Sequence, residues 1–224
     1  DIDGIQLSNA DNNTIKGNLV GTDPTGTVAV PNVRHGIHLI ANASGNSVGG
    51  TGVGDGNVVS GNTRNGIHIN GSASTANIIA GNRCGTNLAG TAALSNGERG
   101  IALVGSTSQN VIGPGNLVSG NTTDGIQINN SAGNTVKGNI IGADVTGQIA
   151  IPNQDSGVLI AGGASGNQIG GPAPAAANVI SGNMANGVTI QASATTGNVV
   201  QGNLIGSSAD GMIAVGNNDN GILI

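Results

Sequence analysis

No Phe, Tyr or Trp occurs in the 224 residues of this chain. Aromatic rings normally supply much of the bulk of a globular core, so an interior here has to be filled by Ile, Val, Leu and Ala, which suits a narrow core lined by the same small side chains at every level. Charge is nearly as scarce: 8% of residues are Asp, Glu, Lys or Arg, and the formal net charge is −5. A nucleic-acid partner requires a dense basic stripe to displace counterions, and six Lys plus Arg cannot form one; nucleic acid is excluded. A single cysteine, Cys84, rules out an intrachain disulfide framework. No apolar run approaches the roughly 18 residues of a membrane helix, so membrane insertion is not expected.

Repetition dominates what remains. The phrase Asn-x-(Ile/Val)-x-Gly-Asn occurs seven times, at Asn13 to Asn18, Asn57 to Asn62, Asn77 to Asn82, Asn116 to Asn121, Asn134 to Asn139, Asn178 to Asn183 and Asn198 to Asn203. A second phrase, Gly-(Ile/Val)-x-(Ile/Leu), opens at Gly4, Gly36, Gly66, Gly100, Gly125, Gly157, Gly187 and Gly221. A short unit repeated at a nearly fixed period is the signature of a solenoid, in which each unit buries its apolar face against its neighbours. Apolar residues alternate within the second phrase: Ile67 and Ile69 point inward and His68 outward. Period-2 patterning, β-branched residues and dense Gly/Asn punctuation favour short strands. Glycine every few residues, at about 1 kcal/mol each relative to Ala, disfavours helix.

The expected architecture is all-β: a right-handed parallel β-helix of about seven complete coils with loop insertions on alternate coils, forming one domain over residues 1–224. At about 4.8 Å per coil, stacked in register, Ile15, Val59, Ile79, Val118, Val136, Ile180 and Val200 form one inward column. Likewise Asn18, Asn62, Asn82, Asn121, Asn139, Asn183 and Asn203 form one ladder, each amide bonding to those above and below. Cys84 stands where other copies carry Val20, Ile141 and Ile205, and reads as a small buried hydrophobe. Insertions follow alternate Gly-Asn pairs, at Gly21 to Asn32, Gly85 to Asn96, Gly142 to Asn153 and Gly206 to Asn217, and should project from one side as a row of short hairpins or extended loops. The full sequence repeat is therefore two coils, with Gly4, Gly66, Gly125 and Gly187 spaced 62, 59 and 62 residues apart.

This arrangement resembles the right-handed parallel β-helix repeats of the pectin-lyase-like superfamily. More narrowly, the motif at Gly17 to Asn32, GNLVGTDPTGTVAVPN, is similar to the repeat region of large CSLREA-type bacterial secreted or surface proteins. The resemblance covers essentially the whole chain. It implies a parallel β-helix and an extracellular or cell-surface location, while the superfamily's activities range over lyases, hydrolases, epimerases and structural shafts, so function has to come from a site.

Aligning the outward positions on each Gly-Ile phrase finds one chemically distinctive cluster. Two places before the glycine stand Ile2, Arg34, Arg64, Glu98, Thr123, Asp155, Ala185 and Asp219; two places after it stand Gln6, His38, His68, Ala102, Gln127, Leu159, Thr189 and Leu223. Coils two to four thereby gather Arg34, His35, His38, Arg64, His68, Glu98 and Arg99, including all three histidines of the chain. As a polysaccharide site, Arg34 or Arg64 would hold a uronate carboxylate and His38 or His68 would move the proton; Glu98 completes the catalytic candidates, and His35 and Arg99 the binding candidates. The resemblance implies a calcium site of clustered carboxylates for lyase chemistry, and no such cluster is present. Glu98 has no evident carboxylate partner for glycoside hydrolysis, and no aromatic platform exists for a sugar ring. The alternative is a solvated face whose Arg and Glu stack in ion pairs worth about 0–1 kcal/mol each.

On this balance the sequence favours a non-catalytic extracellular scaffold, stalk or filament segment of a bacterial surface protein, with adhesion as an accessory role. A carbohydrate-active enzyme or polysaccharide-binding module is the alternative, and no metal or cofactor is expected. Neither end carries a recognisable cap, so flanking repeats of the same chain or end-to-end stacking of copies are the expected partners, besides a polysaccharide.

Overall fold

A computed structural model describes residues 2–224. Twenty-two short strands form three parallel sheets of eight, seven and seven strands, each strand pairing with the equivalent strand of the next coil. The first sheet runs from Ile5–Ser8 through Ile37–Ile40, Ile67–Asn70 and Ile101–Val104 to Ile222–Leu223. The second starts at Thr14–Ile15 and the third at Leu19–Val20. One 3-10 turn, Pro174–Ala176, is the sole helical element among the described residues. The chain is a right-handed parallel β-helix with seven complete coils.

Three inward columns fill the interior. Strands of the first sheet contribute pairs such as Ile67 and Ile69, which are fully enclosed. The second sheet supplies Ile15, Val48, Ile79, Ile112, Val136, Ile169 and Val200, in register from coil to coil. The third supplies Val20, Val59, Cys84, Val118, Ile141, Ile180 and Ile205. Cys84 is fully buried between Val59 and Val118, as its place in the repeat predicts. Removing this aliphatic surface from water, at about 25 cal/mol per Å2, is the main source of stability.

The expected single apolar column and single Asn ladder need correction. In the first coil the phrase Asn13 to Asn18 brackets the second-sheet strand Thr14–Ile15, whereas in the next coil Asn57 to Asn62 brackets the third-sheet strand Val58–Val59. The expected column Ile15, Val59, Ile79, Val118, Val136, Ile180 and Val200 therefore alternates between two sheets. The cause is loop placement. Odd coils carry their insertion after the third sheet, whereas even coils carry none there; the second and sixth instead have one after the second sheet, as at Gly50 to Gly56.

Three Asn ladders result, one per corner. The first links Asn13, Asn46, Asn77, Asn110, Asn134, Asn167 and Asn198. The second links Asn18, Asn57, Asn82, Asn116, Asn139, Asn178 and Asn203. The third links Asn32, Asn62, Asn96, Asn121, Asn153, Asn183 and Asn217. The seven predicted residues do lie on ladders, but Asn62, Asn121 and Asn183 stand at a different corner from Asn18, Asn82, Asn139 and Asn203. Amide nitrogens also donate to a carbonyl of the preceding coil, as Asn121 Nδ2 does to Cys84 O at 3.0 Å. Buried amides thus meet their hydrogen-bonding needs inside a nearly all-aliphatic interior, where an unpaired one would be costly.

The four insertions are short antiparallel hairpins, bridged at Thr22 and Ala29, Thr86 and Ala93, Ala143 and Ala150, and Ser207 and Ala214. Asp23 and Asp144 close their turns by accepting two backbone N–H groups each. These bonds hold Asp144 below the usual carboxylate range although its partial burial pushes the other way. Successive hairpins stack through Leu88 N–H to Gly26 O and Val145 N–H to Gly90 O, both at 2.9 Å, forming the expected row on one side.

Candidate functional site

The outer face of the first sheet carries the predicted cluster. Parallel pairing puts Gln6, His38, His68 and Ala102 at equivalent positions on successive strands. The segment before each strand stacks in the same way: Arg64 N–H donates to Arg34 O at 2.8 Å and Glu98 N–H to Arg64 O at 3.2 Å. Both columns aligned from the sequence are therefore real columns in space.

A third column, one residue before each glycine, lies between them: Asp3, His35, Asn65, Arg99 and Asp124. His35 and His38 are 2% and 1% exposed, while His68 is half-buried. The three rings form one cluster with centroids 4.3 Å apart for His35 and His68, 4.9 Å for His35 and His38, and 5.0 Å for His38 and His68. His38 Nδ1 lies 3.0 Å from Asp3 Oδ2, so that nitrogen carries the proton and donates to the carboxylate. His38 Nε2 is enclosed and has no hydrogen-bond partner.

Asn65 fixes the protons on the other two rings. Its Oδ1 accepts from Arg99 N–H at 3.1 Å, and its Nδ2 donates to Glu98 Oε2 at 2.8 Å. The same Nδ2 faces His35 Nδ1 at 3.3 Å, which makes that ring nitrogen the acceptor. His35 then bears its proton on Nε2 and donates to His68 Nδ1 at 3.1 Å. His68 in turn carries its own proton on Nε2.

Burial dominates the electrostatics. Desolvation, reinforced by the neighbouring His38 and by Arg34 and Arg64, pushes His35 down to about 4 against the opposing pull of Asp3. Desolvation, with His35, His38 and Arg34, pushes His68 down to about 3. Both rings are neutral at pH 7. Burial acts to raise the Asp3 carboxyl, but hydrogen bonds from the His38 ring and the His35 backbone, with the charge of Arg34, outweigh it and hold Asp3 below its ordinary value. Asp124 moves the other way, to about 6, through burial and repulsion from Asp155, only partly offset by Arg99 at 3.3 Å.

The candidates thus fall into distinct environments. Arg34 reaches Asp3 only at 4.0 Å and its side chain is 39% exposed. Arg64 is exposed and makes no ion pair among the described residues. Arg99 is tied to Asp124 and Glu98 to Asn65, so neither is free. His38 is sealed beneath its neighbours, which leaves His68 as the imidazole that meets solvent. Asp3, Asn65 and Asp124 were not singled out from sequence; aligning the position just before each glycine would have found them. Arg83 sits apart on the third sheet, beside clefts of about 190 and 350 Å3.

No protein-family model and no curated protein sequence matches the chain. Solved structures do. The periplasmic alginate epimerase AlgG superposes with a TM-score of 0.62 at 17% identity, over 99% of this chain and 44% of that one. A doubly substituted form of AlgG gives 0.64 at 18% identity, over 98% and 44%. The chain shares the parallel β-helix fold of these structures. It spans less than half the length of AlgG. These neighbours correct the expectation of a non-catalytic scaffold, stalk or filament segment: the solved structures it superposes on are alginate epimerases. No helix among the described residues is long and apolar enough to cross a membrane.

Proposed function

We propose that the chain is a carbohydrate-active module that engages an acidic polysaccharide along the outer face of the first sheet. The observation that carries this reading is the placement of Arg34 and Arg64 on successive coils beside the solvent-facing edge of His68. In a chain of net charge −5 with six basic residues, two adjacent and largely unpaired guanidinium groups are an attractive point for carboxylates, which they bind in a bidentate fork. Arg34 and Arg64 stand one coil apart, at about 4.8 Å along the axis, so neighbouring carboxylates of one polymer can engage both. Neutral His68 supplies an additional N–H for a ligand oxygen.

Alginate, the substrate named for the epimerase neighbours, is the first polymer to test. A secreted or periplasmic setting accords with this reading, and the GTD-x-TG motif supports a place within a larger secreted protein of the CSLREA type. The experiment is a screen of acidic and neutral polysaccharides for binding and for turnover, repeated with the His38→Ala/His68→Ala double variant. Retention of acidic polymers but not neutral ones supports the reading; turnover that vanishes in the variant makes the module an enzyme. No preference for acidic polymers would refute it.

A further inference from the structure

The histidine cluster has features that polysaccharide binding does not use. His38 is almost wholly buried, yet its Nε2 has no donor within hydrogen-bond reach. Leaving such a group unsatisfied destabilises a fold, so the arrangement calls for a partner. One ring nitrogen from each of His35, His38 and His68 lies within 4.8 Å of the other two. The His35 Nε2 to His68 Nδ1 separation is 3.1 Å. That is close to the edge of a tetrahedron whose metal–nitrogen bonds are about 2.0–2.1 Å, for which nitrogens stand roughly 3.3 Å apart.

We propose that His35, His38 and His68 form a binding site for a first-row divalent transition-metal ion, zinc foremost, with Asp3 as the carboxylate that orients His38. Three imidazoles select such ions over calcium or magnesium, which require oxygen ligands. The Asp3–His38 pair has the carboxylate–histidine–metal arrangement in which the outer carboxylate fixes the tautomer and leaves the far nitrogen free to ligate; the 3.0 Å contact at Nδ1 leaves Nε2 with that role. His68 likewise carries its proton on the nitrogen turned away from the cluster. Only His35 directs an N–H inward, at His68 Nδ1. Metal binding replaces that bridging proton: the ring proton of His35 moves to Nδ1, on the side of the Asn65–Glu98 pair, where the Glu98 carboxylate can receive it once the Asn65 amide shifts aside. The rings also close together, because the widest separations exceed a tetrahedral edge. Asp3 and Glu98 are the carboxylates close enough to balance the added charge against Arg34 and Arg64. A fourth coordination position would remain on the half-exposed His68 side.

This assignment rests on the three rings and their partners, and stands apart from the polysaccharide reading. The test is a zinc titration of the untagged chain after chelator treatment, followed calorimetrically and by thermal melting without any sugar, with cobalt(II) as a spectroscopic probe. The expected result is one equivalent of zinc, a higher melting temperature with zinc, and the visible absorption of tetrahedral cobalt. His68→Gln, at a half-buried position, should weaken binding at least tenfold, and Asp3→Asn should weaken it by about 10–100-fold. These are all the histidines of the chain and Cys84 is buried, so no other imidazole or thiol can substitute in the folded protein. Absence of stoichiometric binding would overturn the proposal. Equal binding by the parent, His68→Gln and Asp3→Asn, each folded by circular dichroism, would overturn it as well.

Discussion

Asn82 makes two hydrogen bonds to the same atom of Asn116: its backbone N–H and its side-chain Nδ2 donate to Asn116 Oδ1 at 3.0 and 3.1 Å. The relationship recurs at each corner, as in Asn121, which donates twice to Asn153 Oδ1 at 3.1 and 2.9 Å and accepts from Asn96 Nδ2 at 3.0 Å. One side chain therefore satisfies its own amide, a neighbour's amide and a backbone N–H. Asn121→Ala should destabilise the protein by about 1–3 kcal/mol, because groups in both adjacent coils lose a buried partner. Denaturant unfolding of the parent and variant checks this; an unchanged midpoint would mean the ladder contributes nothing.

Coil spacing gives a sharper expectation at Gly85. Its φ is +94°, and a Cβ there would lie 2.4 Å from Ser119 O and from Asn121 Oδ1. Left-handed geometry and overpacking each destabilise by about 1–3 kcal/mol. Gly85→Ala should therefore lower stability more than Asn121→Ala, by roughly 3 kcal/mol or more. Gly211, with positive φ but nothing near its Cβ, is the control that isolates the backbone contribution, and Gly211→Ala should be milder.

Cys84 should behave as an aliphatic residue. Complete burial pushes its thiol well above the usual range, and the thiolate is the reactive form. A thiol reagent should leave the native protein unlabelled and react fully in denaturant. Cys84→Val, matching Val59 and Val118 on either side, should stay within about 1.5 kcal/mol of the parent. Rapid labelling of the native state would show that this corner opens.

Acid should weaken the fold through the histidines, while Asp124 acts in the opposite sense. His35 and His68 titrate near 4 and 3 in the folded chain and near 6.5 when unfolded. The unfolded state takes up their protons first, so their contribution is complete above about pH 6.5 and is lost as the pH falls toward 4. The groups facing them are Asp3, Arg34 and Arg64. In chelator-containing buffer, His68→Gln should remove on the order of 2 kcal/mol of this acid sensitivity, a figure discounted for the partial exposure of the ring. Asp124 is pushed up to about 6 when folded against an ordinary value of 3.8, so ionising it opposes folding as the pH rises from about 4 through 6. Compared with Asp124→Asn, the parent should lose on the order of 2 kcal/mol across that window. Parallel stability–pH curves for the parent and either variant would contradict the respective assignment.

The first sheet was fully legible in the sequence, because Gly-Ile-x-Ile occurs once per coil and always at the same corner. Its outward columns, with Arg34 beside Arg64 and His38 beside His68, followed from counting alone. The Asn ladders were only half legible. Two corners use the same Gly-Asn chemistry, so Asn18 and Asn62 look equivalent in sequence although a loop shifts them to different edges. Asp3 was hidden for another reason: it meets His38 35 residues away, and nothing local to Asp1-Ile2-Asp3 marks it as a partner. Whether His38 was buried could not be read from alternation, which places it outward; the covering segment around His35 decides it.

Isothermal titration of a short oligouronate into the parent and the Arg34→Gln/Arg64→Gln variant tests the functional account most directly. Both side chains reach solvent, so the variant should keep the parent's melting temperature. The account predicts saturable binding by the parent that weakens with added salt and falls at least tenfold in the variant. Binding that is absent from the parent, or equal in the two proteins, would contradict it.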